Sequence, residues 1–153
     1  MKLYNIRRTQ VLPIGIEHAW DFFTSPLNLS KITPPYMNFV ITSEDADKKI
    51  YPGKIITYKV SPLLGIPLTW VTEITHVKEY EYFVDEQRFG PYAFWHHTHF
   101  FKPCAQGVEM TDIVYYAIPY GLIGTLAHQL FVRDQLKHIF DFRREALIQL
   151  FRE

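Results

Sequence analysis

Apolar and polar positions change their period several times along the chain, and each change marks an element. Leu3 to Leu12 reads as a strand that Pro13 and Gly15 end. Ile16, Ala19, Trp20 and Phe23 then fall at i, i+3, i+4 and i+7, which is one face of a helix. Glu17 sits in its first turn, where a carboxylate suits the helix dipole. Pro26 stops this helix, Leu27 to Ile32 adds one more helical turn, and Pro34-Pro35 forces extended chain. From Phe39 onward the texture is that of strands. Lys54 to Ser61 is rich in β-branched and aromatic residues, and Leu68 to Val77 alternates with Leu68, Trp70, Thr72 and Ile74 on one face. Tyr82 to Phe89 follows, closed by Gly90-Pro91. Phe94 to Lys102 and Val108 to Ile118 are two further strands, and the short Pro103-Cys104-Ala105-Gln106-Gly107 connection predicts that they pair as a hairpin.

Pro119 and Gly121 break the last strand. Ile123 to Phe151 reads as one long helix of about 43 Å, at roughly 1.5 Å per residue. Its apolar stripe runs through Leu126, Leu130, Leu136, Phe140, Leu147 and Leu150 or Phe151. A strand, two short helices, a run of strands and a segregated final helix make an α+β layer architecture rather than a parallel α/β sheet. An antiparallel sheet packs one face and exposes the other, so the long helix is its expected cover. The 153 residues fit one domain, 1–153. The segment Ser61-Pro62-Leu63-Leu64-Gly65-Ile66-Pro67 is an apolar turn between strands, and any gate to an interior would use it.

Composition narrows the function classes. With 16 basic and 16 acidic residues the formal charge is zero, and no basic stripe is present, which argues against a nucleic-acid partner. Cys104 is the only cysteine, so no intrachain disulfide can form, and its expected role is that of a structural thiol. The N-terminal residues lack a signal-peptide pattern, and no run of about 18 apolar residues predicts a membrane span. A cytoplasmic location is the expectation that remains. Aromatic residues make up 16% of the chain, enough to line a pocket as well as fill a core.

The element order resembles the helix-grip fold of the START-like superfamily, the SRPBCC proteins, over nearly the whole chain. Ile16-Glu17-His18-Ala19-Trp20-Asp21-Phe22-Phe23, with Asn28 and Ile32-Thr33-Pro34, looks like the first helical pair of that superfamily. Phe83-Val84-Asp85-Glu86-Gln87, Gly90-Pro91-Tyr92, Trp95 to Phe100, Met110-Thr111-Asp112 and Tyr116 to Gly121 resemble a bacterial subgroup of ligand-binding SRPBCC proteins labelled "cell division inhibitor"-like. The resemblance implies a curved antiparallel sheet of six to seven strands wrapped on a long C-terminal helix, two short helices after the first strand, and a cavity between sheet and helix. It also implies a partner protein of the nucleotide-sugar-epimerase type. It implies no reaction, although the superfamily includes lipid-transfer domains and polyketide cyclases.

The densest chemistry lies in Trp95-His96-His97-Thr98-His99. Strand alternation puts Trp95, His97, His99 and Phe101 on one face and His96 on the other. Histidines at i and i+2 can ligate a metal, and imidazole suits zinc, copper, iron or nickel. No cofactor is expected; if a metal is held, His97 and His99 are its ligands. Asp112 on the hairpin partner is the best third ligand, with Glu109, Asp85 and His76 as looser options, because a one-residue slip of the hairpin would move Asp112 to the other face. Alternatively the two imidazoles orient a polar group of a ligand, act in acid–base chemistry, or serve only as hydrogen-bonding core residues. Asp85 and Gln87 share a face with Phe83 and Phe89. Arg133 lies at the edge of the helix stripe, either snorkelling or presenting a cation to the cavity, and Arg143 raises the same question. Trp70, Ile74, Tyr115 or Tyr116, Leu126 and Leu130 are candidate walls.

The expected function is non-catalytic binding of a small hydrophobic or amphipathic molecule. Its candidate residues are Trp70, Asp85, Gln87, Trp95, His97, His99, Asp112, Tyr116, Leu130 and Arg133. One alternative is a cyclase, dehydrase or isomerase using His97, His99 and Asp112 as acid and base groups. Another is a regulatory protein–protein interaction module. Glycine-rich phosphate loops, nucleophile elbows and cysteine pairs are absent from the sequence, so covalent catalysis has no support.

Overall fold

The computed structural model describes residues 1–62 and 65–152. Leu63 and Leu64 of the expected apolar turn therefore lie outside the described residues. Strand β1 (Leu3–Leu12) leads into helix α1 (Ile16–Phe23), a 3₁₀ helix (Pro26–Ile32) and a single 3₁₀ turn (Pro35–Met37). Strands β2 (Val40–Ile41), β3 (Ile55–Val60), β4 (Leu68–Lys78), β5 (Tyr82–Phe89), β6 (Phe94–Cys104) and β7 (Gly107–Ala117) follow. The C-terminal helix comprises α2 (Gly121–Ala127), a π-helical turn (His128–Val132) and α3 (Arg133–Leu150). The seven strands form one antiparallel sheet in the order β1-β7-β6-β5-β4-β3-β2.

The β6–β7 hairpin is tighter than its sequence suggests. Cys104 pairs with Gly107, leaving only Ala105 and Gln106 in the loop. Gly107 has φ 131°, and a side chain there would strike the Leu12 carbonyl oxygen of β1, so the turn closes only with glycine. The same register sets His99 opposite Asp112, while β5 sets Asp85 opposite His97. The β4–β5 pairing shifts register at Val71/Thr72 and Ile74/His76, irregularities of the kind that bend a strand locally. Phe89, beyond those shifts, is 66% exposed, so the face shared by Phe83, Asp85 and Gln87 stops short of it.

The concave face packs in three clusters. Leu12, Trp20, Phe101 and Met110 meet Leu147 and Phe151 at one end of the helix. Val114 and Tyr116 meet Leu136 and Phe140. Met37, Val60 and Trp70 form the third, toward β3 and β4. Helix α3 buries Leu136, Phe140, Arg143 and Leu147, an i, i+4, i+7, i+11 stripe.

That stripe does not continue backward through the expected residues. Leu126 is 55% exposed and Leu130 65% exposed. Leu130, six residues before Leu136, falls roughly 240° away on any regular α-helix, and Leu126 precedes the π turn at His128–Val132. Such a turn takes in about one residue more than an α turn, and so rotates the preceding face by roughly 100°. Leu122, Ile123, Leu126 and Leu130 consequently present an apolar face to solvent. Among the described residues, no helix is long and apolar enough to cross a membrane.

Candidate functional site

A cavity of about 200 Å³ lies between the concave face of the sheet and α3. Most of its wall is apolar. Trp70 from β4, Trp95 from β6, Tyr92 from the β5–β6 loop and Ile139 from α3 enclose one end. Their rings contact one another at right angles or tilted, with Trp70 and Trp95 centroids 5.3 Å apart and Tyr92 and Trp95 4.8 Å apart. The Gln87 amide holds Tyr92 in place, donating to its carbonyl at 2.7 Å and accepting from its N–H at 3.2 Å. Gln87 thus acts on the wall through Tyr92 rather than lining the cavity itself.

The opposite wall is polar, where β5, β6, β7 and α3 converge. Asp85, His97, His99 and Arg143 line the cavity, and Asp112 stands behind the imidazoles. His97 Nε2 is 3.0 Å from Asp112 Oδ1, and His99 Nδ1 is 3.0 Å from the same oxygen. The other nitrogens face Asp85: His99 Nε2 is 2.7 Å from Oδ2, and His97 Nδ1 is 3.5 Å away. Arg143 Nη2 completes the group at 3.4 Å from Asp112 Oδ1. The rings of His97 and His99 lie 3.7 Å apart, and His99 stacks on Phe83 at 4.1 Å.

Burial and charge oppose one another throughout this cluster. Burial alone would raise the Asp112 carboxyl, but Arg143 and the two imidazoles hold it well below its ordinary value. Asp85 is also lowered, because His97, His99 and Arg143 outweigh its burial. Burial depresses His97, helped by the neighbouring His99. His99 suffers the same burial, yet its hydrogen bonds to Asp112 and Asp85 raise it above the ordinary imidazole value. The two rings thus shift in opposite directions, and His99 is the one with both nitrogens within 3.0 Å of a carboxylate oxygen.

Two residues that line the cavity each carry a buried donor, Trp70 Nε1 and Arg143 Nε, with no hydrogen-bond partner among the described residues. Leaving such a donor unpaired costs about 1–3 kcal/mol.

Alternation along β6 puts Trp95, His97 and His99 together on the cavity wall with Trp70 and Asp85. Tyr116 is buried beside the cavity but not on it, its hydroxyl 2.8 Å from His128 Nε2. Leu130 faces solvent, and Arg133 is exposed and paired with Asp134 at 3.2 Å. Arg143, 8% exposed, supplies the cavity cation instead. Its position was accessible from spacing, since it falls three residues after Phe140 and four before Leu147. Tyr58, Tyr92 and Ile139 also line the wall, and only their aromatic or apolar character hinted at it.

No family model and no curated protein matches this sequence. Solved structures do. Protein CV1439 from Chromobacterium violaceum superposes with a TM-score of 0.72 at 17% identity, over 96% of both chains. Ms6760 from Mycobacterium smegmatis gives 0.66 at 15% identity, over 95% of this chain and 92% of that one. Ara h 8.0201 gives 0.59 at 11% identity, over 97% of this chain and 99% of that one. At these identities the likeness is one of fold, and the chain has the helix-grip arrangement, a curved antiparallel sheet closed on a long C-terminal helix.

Proposed function

We propose that this protein binds a small amphipathic molecule in the cavity between sheet and α3, with its apolar body against Trp70, Tyr92 and Trp95 and an oxygen-bearing group toward Arg143 and His97. The observation that carries this reading is the pairing of an apolar wall with the polar group of Asp85, His97, His99 and Arg143 on the same cavity. Small-ligand sites have that composition: a mostly apolar lining with a few polar groups that fix orientation. Size supports a modest ligand. An apolar cavity of about 150 Å³ holds a benzene molecule, so 200 Å³ suits a molecule of one or two rings, or a short acyl chain.

Native mass spectrometry on gently purified protein tests this directly. The expected result is a retained organic adduct, together with a change in tryptophan emission when the stripped protein is titrated with naphthoate. A bare protein mass and an unchanged emission would overturn the reading.

Acid–base catalysis is the second reading, favoured by the convergence of His97, His99 and Asp112 within hydrogen-bond distance. It differs in one readout: an enzyme would change the mass of its compound on incubation, whereas a binding protein would return it unaltered.

A further inference from the structure

We propose that Asp85, His97 and His99 form a site for a divalent first-row transition-metal ion at the polar end of the cavity, with Asp112 orienting both imidazoles from behind. Each of the three residues offers one ligand atom, and these atoms lie within 4.8 Å of one another. The ligands come from neighbouring strands, His97 and His99 from one face of β6 and Asp85 from the position opposite His97 on β5. A sheet holds such positions rigidly, which a metal site requires.

The orientation of the rings is the stronger argument. His97 Nε2 hydrogen-bonds Asp112 Oδ1 at 3.0 Å, and His99 Nδ1 stands 3.0 Å from the same oxygen and 3.4 Å from Arg143 Nη2. That leaves His97 Nδ1 and His99 Nε2 facing Asp85 Oδ2, at 3.5 and 2.7 Å. Ligating histidines characteristically give their second nitrogen to a carboxylate in this way. Ligands at about 2.1 Å from one ion stand roughly 3.0 Å apart at right angles and roughly 3.4 Å apart at the tetrahedral angle. The two imidazole–carboxylate separations, 3.5 and 2.7 Å, bracket those values. When Nε2–H of His97 donates to Asp112, its Nδ1 lone pair points at a carboxylate oxygen with no hydrogen between them. A cation placed there turns a contact between two acceptors into coordination.

Two imidazoles and one carboxylate favour zinc, iron, cobalt or nickel over magnesium or calcium, which prefer all-oxygen sites. Three protein ligands also leave coordination positions facing the cavity, as in sites that act on a bound molecule rather than brace a fold. With the imidazoles neutral, Asp85, Asp112 and Arg143 sum to one negative charge. A dication makes the site positive by one, which suits an oxygen anion from the cavity side.

The test uses the metal alone. Protein stripped with chelator is titrated with cobalt(II) and followed by its visible d–d absorption. The expected result is one tightly bound equivalent with nitrogen–oxygen bands. Asp85→Asn, near-isosteric and able to keep its hydrogen bonds, and His97→Gln should each weaken binding at least about tenfold. Asp112→Asn should weaken it by about 10–100-fold without removing a ligand. His96→Gln, on the opposite face of β6, should leave it unchanged. Far-ultraviolet circular dichroism confirms that each variant is folded. Absence of cobalt absorption at stoichiometric concentration overturns the site, as does binding that Asp85→Asn and His97→Gln leave intact. Either failure would leave a retained organic adduct, and hence the ligand-binding reading, untouched.

Discussion

Removing the Asp112 carboxylate would strand the Arg143 guanidinium in the core, because that oxygen, 3.4 Å away, is its ion-pair partner among the described residues. Breaking a buried pair on one side costs about 3–5 kcal/mol, so Asp112→Asn should lower unfolding stability in urea by that amount. Asp112→Leu with Arg143→Leu together should cost less than the sum of the two single changes, since neither partner of the pair is left buried without the other. His128 makes a separate prediction. Burial, with Arg133 and Lys2 nearby, lowers its pKa from 6.5, while Tyr4 stacks on its ring and Tyr116 contacts Nε2. The unfolded chain therefore takes up a proton near pH 6.5 that the folded chain resists. The stability due to neutral His128 is full above that pH and is lost as pH falls through the window between 6.5 and the lowered folded value. His128→Phe should abolish this acid-side loss, so the stability difference between variant and native protein should shift in favour of the variant below pH 6.5. Urea unfolding of both proteins across acidic pH checks it. At this scale the sequence was partly legible. Alternation alone places His97 and His99 on one face, but which carboxylate stands behind them depends on hairpin register, which alternation does not determine.

Among elements, the β6–β7 hairpin fixes that register, and Gly107 fixes the hairpin. Its positive φ and the nearby Leu12 carbonyl oppose any side chain. Gly107→Ala should therefore destabilise the fold by about 1–3 kcal/mol, measured by denaturant midpoint, and displace Asp112 relative to His99. The final helix shows where local pattern reading fails. A stripe at regular spacing locates the buried side of α3, including Arg143, because inside one helix the period holds. It assigns Leu126 and Leu130 to the wrong side: Leu130 stands six residues before Leu136, roughly 240° around any regular α-helix, and the π turn that contains it turns Leu126 further from the buried face. The turn carries no proline or glycine, so its residues announce nothing. Since Leu122 is 89% and Ile123 76% exposed, Leu122→Ser and Ile123→Ser should change folding stability by no more than about 0.5 kcal/mol. A change of several kcal/mol would show that this face is packed in solution.

At the scale of the whole molecule, the helix grip leaves sheet and helix unable to close completely, and the residual space takes its chemistry from both. The apolar end comes from β3, β4, β6 and α3, and the polar end from the centre of the sheet and α3, where two carboxylates and a guanidinium stand together in the interior. A protein selected only for stability gains little from that arrangement, because replacing a buried ionic group by well-packed apolar residues is often neutral or stabilising. The proposed ligand would supply a reason for keeping it, and its binding should then appear as stability. Naphthoate at about a hundredfold excess over its Kd would stabilise the folded state by about 2.7 kcal/mol, a rise in Tm of roughly 5–10 °C for a chain of this size. Val60, 2% exposed and on the apolar wall, offers the discriminating variant. Val60→Phe extends a ring into the cavity, where filling of space and crowding act in opposite directions. The Tm of the free protein should therefore move little, while the ligand-induced rise disappears. If the variant still gains the full rise, the probe binds elsewhere and the cavity is not the site; if naphthoate raises the Tm of neither native protein nor variant, the space between sheet and helix takes no ligand of this class.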